Sequence, residues 1–154
     1  SVLSSVSFHP SESILMTAGL DRKVKLFDVK HSNEMLEIKG DEKPNFNNVK
    51  SATKSRKLQG LFIPDLPVYS AKFILDGQQA ILTGNRKHFY TYHIERNKLE
   101  RLTVGKLEQK NLSGIQVANK DYISIASTDS GEAHLFSQNT KKHLFSLKMN
   151  GSCA

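Results

Sequence analysis

A short acidic and basic triplet is the first feature of the sequence that could carry chemistry. It is Asp21-Arg22-Lys23, which stands between two apolar runs in LMTAGLDRKVKLFDV at residues 15–29. The carboxylate could accept a proton or hydrogen bonds, and the two cations could bind phosphates or acidic side chains. Acid catalysis would need a second acid or a nucleophile held nearby, and no such partner is evident. Asp21 is therefore predicted to shape a turn by accepting backbone hydrogen bonds.

A second basic group occurs in GNRKHFYTY, at residues 84–92. Arg86 and Lys87 lie in the turn that corresponds to the turn of Arg22 and Lys23. If the two groups lie side by side, they form a patch suited to phosphates or to an acidic peptide; a solvated surface without a partner is the alternative interpretation. Asp129 holds the corresponding place further along and is predicted to be another turn residue, whose charge ends the patch.

A third basic group lies in a Lys- and Asn-rich segment and comprises Lys54, Arg56 and Lys57. Residues 39–60 hold six Lys or Arg and two Asp or Glu, so this segment carries +4 of the net charge of +7. Because it has little apolar periodicity, it is predicted to be a loop. Its cations could neutralise RNA phosphates or could simply be solvated.

The other residue types that carry chemistry form no recognisable site. The six histidines have no metal-ligand spacing, and a single cysteine, Cys153, excludes an internal disulfide and fits a reducing compartment. There is no glycine-rich phosphate loop or nucleophile elbow, no apolar run long enough to span a membrane and no signal peptide. We therefore expect a non-enzyme with no metal, cofactor, small-molecule substrate or membrane contact.

The elements that would position the basic groups repeat along the chain. Segments 5–29, 70–94 and 114–138 align, with Phe8 matching Phe73 and Tyr92 matching Phe136. Each segment contains short apolar strands around a turn, and a repeat of roughly 40–45 residues with four strands is typical of a β-propeller blade. We predict blades at about residues 1–39, 66–105 and 111–149. The first would end in a strand at 34–39, followed by a basic loop insertion at 40–60.

The run FHPSESILMTAGLDRKVKLFDV resembles a WD40 repeat. Its Phe8-His9-Pro10 matches the aromatic-x-Pro turn of that family, Ala18-Gly19 the small pair after the second strand, and Phe27-Asp28 the Trp-Asp that ends the third strand. The chain departs from the pattern in having no Trp. SVSFHPSESILMTAGLDRKVKLFDV, PVYSAKF and HLFSLKMNGSCA further resemble the propeller of the U-three-snoRNA-associated protein eighteen family. Its members are WD40 subunits of the small-subunit processome in the nucleolus.

The resemblance implies an all-β fold, a fragment of a WD40-type β-propeller with about three four-stranded antiparallel blades. It also implies a nuclear, nucleolar scaffold for early pre-rRNA processing, with other protein subunits as partners and possible contact with pre-rRNA or snoRNA. Since three blades do not close a propeller and the chain lacks an initiator Met, we expect at least three more blades after residue 154. The alternatives are an adaptor for an acidic or phosphorylated peptide in another complex, such as a ubiquitin ligase, and an enzyme.

Overall fold

The computed structural model describes residues 2–29, 56–104, 111–118, 120–127 and 129–149. This part of the chain consists mainly of β-strands, with a short 3₁₀ turn at Leu75–Gly77. Its strands form three four-stranded antiparallel sheets, and within each sheet the strands lie side by side in chain order. The prediction of three four-stranded antiparallel blades is confirmed.

The first sheet has the order β1-β2-β3-β4. Its strands are β1 (Leu3–Phe8), β2 (Ile14–Gly19), β3 (Lys23–Asp28) and β4 (Arg56–Phe62). One face of β2 is deeply buried, through Met16 and Ala18. The opposite face of this sheet is not covered by the two other described sheets.

The fourth strand of the first sheet corrects the predicted position of the basic insertion. Arg56–Phe62 pairs with β3, in the register Lys23↔Phe62 and Asp28↔Arg56, so residues 56–60 are strand and not loop. β4 therefore occupies the outermost place in the first sheet, which was predicted for residues 34–39. Residues 30–55 lie outside the described residues. The loop prediction was wrong for residues 56–60 because an outermost strand tolerates polar side chains, so RKLQGLF shows no clear alternation.

The second and third sheets have the same meander topology. The second contains β5 (Val68–Ile74), β6 (Gln79–Gly84), β7 (His88–His93) and β8 (Lys98–Thr103), and the third contains β9 (Gly114–Ala118), β10 (Tyr122–Ser127), β11 (Glu132–Ser137) and β12 (His143–Lys148). A turn that contains Asp76 and Gly77 joins β5 to β6. It uses positive φ angles of 55° at Asp76 and 87° at Gly77, which Gly and short polar residues adopt most readily.

The second sheet is buried on both faces because it lies between the other two. Side chains alternate along its strands, so Leu82 packs towards the first sheet and Ile81 towards the third. Tyr90 and Tyr92 share the face towards the first sheet, as their spacing predicts, and Phe89 contacts Phe136 of the third sheet edge to face, with ring centroids 5.4 Å apart. Two apolar layers therefore hold the three sheets together.

Polar contacts add to this packing at the turn between β5 and β6. His9 of the first sheet places Nε2 3.2 Å from the carbonyl oxygen of Gly77. Gln138, in the β11–β12 turn of the third sheet, accepts a 3.1 Å hydrogen bond from the backbone N–H of Leu75. Both neighbouring sheets thus contact the same turn of the second sheet, which fixes the sheets relative to one another.

Candidate nucleic-acid interface

The β2–β3 turn carries the first basic group. Asp21 Oδ1 accepts a 3.3 Å hydrogen bond from the backbone N–H of Lys23, and Arg22 has a positive φ of 67°. The turn packs closely because Gly19 has no side chain: a Cβ there would lie 2.6 Å from the carbonyl oxygen of Val2. The side chains of Arg22 and Lys23 are exposed, so this turn presents two cations to solvent.

The β6–β7 turn carries the second basic group, and a tightly packed glycine precedes it as in the first turn. Gly84 gives room to the carbonyl of Pro67, with which a Cβ would collide. Arg86 and Lys87 are exposed, and Arg86 Nη1 donates a 3.1 Å hydrogen bond to the carbonyl oxygen of Asn85. The two turns therefore present their cations in equivalent positions of neighbouring sheets.

The segment that joins the first sheet to the second lies against both turns. The backbone N–H of Ile63 donates a 2.9 Å hydrogen bond to the carbonyl oxygen of Arg22. Two residues later, the carbonyl oxygen of Asp65 accepts a 3.3 Å hydrogen bond from Arg86 Nε. Ile63 and Leu66 are fully buried, which anchors the segment. The two basic groups lie at one end of the sheets, on either side of this linker.

Asp65 is the centre of a polar network that joins the linker to the second sheet. Its Oδ1 accepts a 2.7 Å hydrogen bond from the Tyr90 hydroxyl. Its Oδ2 lies 3.0 Å from His88 Nε2, although the angle is not that of a well-aligned hydrogen bond, and 3.7 Å from Arg101 Nη1. Arg101 Nη2 also lies 3.2 Å from His88 Nδ1. Since Arg can only donate, Nδ1 is the acceptor and the His88 proton sits on Nε2.

The surroundings shift the pKa values of this network in directions that favour an ionised Asp65 and a neutral His88. Burial opposes ionisation of Asp65, but the Tyr90 hydrogen bond and the nearby His88 and Arg101 together lower the pKa of its carboxyl. Burial, followed by the charge of Arg101, lowers the pKa of the His88 imidazole. Burial and the hydrogen bond to Asp65 raise the pKa of the Tyr90 hydroxyl to about 12.

The third basic group lies away from the first two. Lys54 is outside the described residues, and of Arg56 and Lys57 only the backbone in β4 is described. Arg56 pairs with Asp28, whereas Lys23 pairs with Phe62 at the other end of the same hairpin. At about 3.3 Å per residue, the two ends are about 17 Å apart. The candidate cations therefore divide between opposite ends of the first sheet.

The corresponding turn of the third sheet carries acidic residues. Asp129 is exposed. Its carboxylate has no hydrogen bond to the described residues, unlike that of Asp21, so a role for Asp129 in shaping the turn stays a prediction. Glu132 accepts a 3.2 Å hydrogen bond from the Ser130 hydroxyl and lies 3.7 Å from His134 Nε2. The basic surface consequently spans the first two sheets.

Sequence reasoning missed three members of the polar network. Asp65 lies in the linker FIPDLP, where a Pro-Asp pair indicates a turn but not what the carboxylate contacts. Tyr90 lies in an apolar strand, which predicts burial of its ring but not the partner of its hydroxyl. Arg101 lies in β8, and nothing in its sequence position relates it to Asp65. No spacing in the chain relates these residues, because the linker brings them together only in the folded structure.

Other kinds of site find no support in the described part of the chain. No group of three or more His, Cys, Asp or Glu residues there could hold a metal ion. None of the described segments is a helix long and apolar enough to cross a membrane.

Three successive four-stranded antiparallel sheets, packed face to face with their first strands adjacent, define a WD40-type β-propeller fragment. No protein-family model matches the chain. Three curated proteins are similar to it, each called "U3 small nucleolar RNA-associated protein 18 homolog". The Arabidopsis thaliana protein is 32% identical over 152 residues, or 97% of this chain. The Mus musculus and Homo sapiens proteins are 28% and 29% identical over 154 residues, or 99% of the chain.

The similarity extends over nearly the whole chain and confirms the resemblance inferred from the sequence. The chain spans about a quarter (24%) of the length of each of these three relatives. The similarity therefore concerns one region of much longer proteins.

Proposed function

We propose that this chain is part of a non-catalytic scaffold subunit of a ribonucleoprotein assembly, the small-subunit processome, which acts in pre-18S rRNA processing. The observation that carries the proposal is the similarity of nearly the whole chain to proteins whose names describe them as associated with U3 small nucleolar RNA. Such a subunit would act in the nucleolus. Its partners would be other protein subunits of the assembly, together with pre-rRNA or snoRNA.

The structure supports a scaffold role through its rigidity. Two apolar layers hold the sheets, and hydrogen bonds from both neighbours fix the turn between β5 and β6. Turns and linkers at the ends of such sheets have defined positions, which suits them to hold several partners at once. Arg22, Lys23, Arg86 and Lys87 would add a salt-dependent attraction to RNA at one end.

The second candidate function is an adaptor that binds an acidic or phosphorylated peptide. The observation that favours it is the exposed guanidinium groups of Arg86 and Arg101 beside one linker, because arginines also bind carboxylates and phosphoamino acids. The two functions predict different partners in a purification of the protein from cells.

Affinity purification of the full-length protein tests the proposal. The scaffold function predicts recovery of U3 snoRNA, pre-rRNA and many ribosome-assembly proteins, with the tagged protein concentrated in the nucleolus. Recovery of one regulated protein substrate, without RNA, would support the adaptor instead and contradict the scaffold proposal. An unrelated nucleolar protein with the same tag serves as the control for non-specific RNA recovery.

A further inference from the structure

One end of the second sheet holds two arginines that approach the same linker residue from different strands. Arg86 comes from the turn before β7 and donates through Nε to the carbonyl oxygen of Asp65. Arg101 comes from β8 and has Nη1 3.7 Å from Asp65 Oδ2. We propose that Arg86 and Arg101 form a clamp for phosphate groups of an RNA backbone, a specific assignment that rests on the proposed function.

Both arginines are oriented by the protein but keep donors free for a ligand. A guanidinium has five N–H donors, and each arginine uses two of its nitrogens in the contacts described. The side chain of Arg101 is 55% exposed and that of Asp65 is 42% exposed. Since the closer partners of the Asp65 carboxylate are Tyr90 and His88, the 3.7 Å pair with Arg101 leaves the guanidinium accessible to an anion.

His88 acts as a positioning residue for Arg101. It is 7% exposed, and its Nδ1 can accept from Arg101 only while the imidazole is neutral. Burial and the adjacent guanidinium lower the pKa of His88, which maintains that acceptor. The Arg101 fork is consequently held before a ligand arrives, and preorganised donors lose less entropy when they bind.

The charge and geometry of this end fit phosphates. Arg86, Lys87 and Arg101 contribute three positive charges against one negative charge from Asp65. Planar guanidinium groups can donate two parallel hydrogen bonds to a phosphate. Since the relatives are named for their association with an RNA, its backbone is the anion that we assign to this clamp.

Binding of a short fluorescent single-stranded RNA to the full-length protein, followed by fluorescence anisotropy at several salt concentrations, tests the clamp. The double variant Arg86→Gln/Arg101→Gln should bind roughly tenfold or more weakly, with the slope of log Kd against log salt reduced by about one to one and a half. The matched control is Arg96→Gln/Lys98→Gln, which removes the same charge from exposed positions at the opposite end of the second sheet. It should bind nearly as tightly as the parent.

A conservative variant separates the guanidinium from its charge. Arg101→Lys keeps the positive charge but loses the planar fork, so its affinity should fall by about threefold. Circular dichroism and the thermal midpoint establish that each variant is folded, and Arg101→Lys provides the decisive result should the double variant fail to fold. Parent-like binding by the double variant or by Arg101→Lys would overturn the clamp.

Two further outcomes would also contradict it. An equal loss in Arg96→Gln/Lys98→Gln would show that RNA senses only the net charge. If poly-glutamate displaced the labelled RNA as well as an unlabelled RNA does at the same concentration of negative charge, this end would be assigned to an acidic protein. Either result leaves the scaffold function intact if U3 snoRNA and assembly proteins still co-purify with the variants, so the two proposals can fail separately.

Discussion

The β2–β3 turn and the β6–β7 turn occupy equivalent places in the first two sheets, and both carry two exposed basic residues. The first is shaped by its own backbone and by Asp21, with a backbone hydrogen bond from Ile63. The second is joined by side chains to the linker, since Arg86 donates to Asp65. Asp65 in turn contacts Tyr90 and His88.

The difference shows that repeat position does not determine how firmly a side chain is held. The repeat places the turns that carry Arg22 and Arg86 at the same end of neighbouring sheets. Only Arg86 is fixed through its guanidinium by the described residues, because Asp65 lies next to the second sheet. A ligand that needs a preorganised cation would therefore favour the second turn over the first.

The largest loss of stability is expected when a side chain is added at Gly84, where the linker packs against the β6–β7 turn. In Gly84→Ala the new Cβ would collide with the carbonyl of Pro67 and crowd Leu66, which is fully buried. We expect the free energy of unfolding to fall by about 2–3 kcal/mol, measured by urea denaturation.

Gly114→Ala is the matched control, because its Cβ would lie 3.4 Å from Ala126 Cβ, an ordinary contact. The free energy of unfolding there should stay the same or rise by up to about 1 kcal/mol, because Ala loses less backbone entropy than Gly when the chain folds. Equal unfolding midpoints for the two variants would mean that the linker does not need the close approach at Gly84.

A smaller loss is expected when the Tyr90 hydroxyl is removed. Tyr90→Phe keeps the buried ring but leaves the Asp65 carboxylate without its 2.7 Å hydrogen bond, which should cost about 1 kcal/mol. The pKa of Asp65 should rise, and this is measurable by NMR titration of the carboxyl. Tyr69→Phe, at an exposed tyrosine in β5, is the control. If Tyr90→Phe is as stable as Tyr69→Phe and the titration of Asp65 is unchanged, the Tyr90 hydroxyl does not contribute to the polar network.

Much of the fold could be predicted because its determinants are local. The repeat and the apolar runs predicted short strands around a turn in segments 5–29, 70–94 and 114–138, and each of these segments lies within one sheet. The fourth strand of the first sheet was misplaced because Arg56–Phe62 is an outermost strand. Such a strand needs few apolar residues, so its composition resembles that of a loop.

The candidate site was less predictable because it depends on a contact between elements. Arg22 and Arg86 were found through the repeat, which relates equivalent turns. Asp65 belongs to a linker and Arg101 to an outer strand, and the repeat relates neither to Arg86. Only the path of the linker, fixed by the burial of Ile63 and Leu66, brings the three together.

His88 should make the stability of the second turn depend on pH. Its pKa in the folded protein is below that in the unfolded chain, so the unfolded chain binds more protons between the two values. This contribution to stability is fully present above about pH 6.5 and is lost as the pH falls towards the folded pKa. His88→Phe keeps an aromatic ring but cannot titrate. Its free energy of unfolding should decline less than that of the parent between about pH 7 and pH 5, and parallel profiles would contradict this role.

The smallest effect is expected at the first turn, where the side-chain contact is exposed. Asp21→Ala removes the 3.3 Å hydrogen bond to the Lys23 backbone, which should cost about 0.5 kcal/mol. Asp65→Ala should cost more, because it leaves the Tyr90 hydroxyl without its acceptor and removes the carboxylate that lies 3.0 Å from the buried His88. Urea denaturation of both variants compares the two turns directly. If Asp21→Ala loses more free energy of unfolding than Asp65→Ala, the expected order of the two turns is wrong. The first turn would then depend on its carboxylate more than the second turn depends on Asp65.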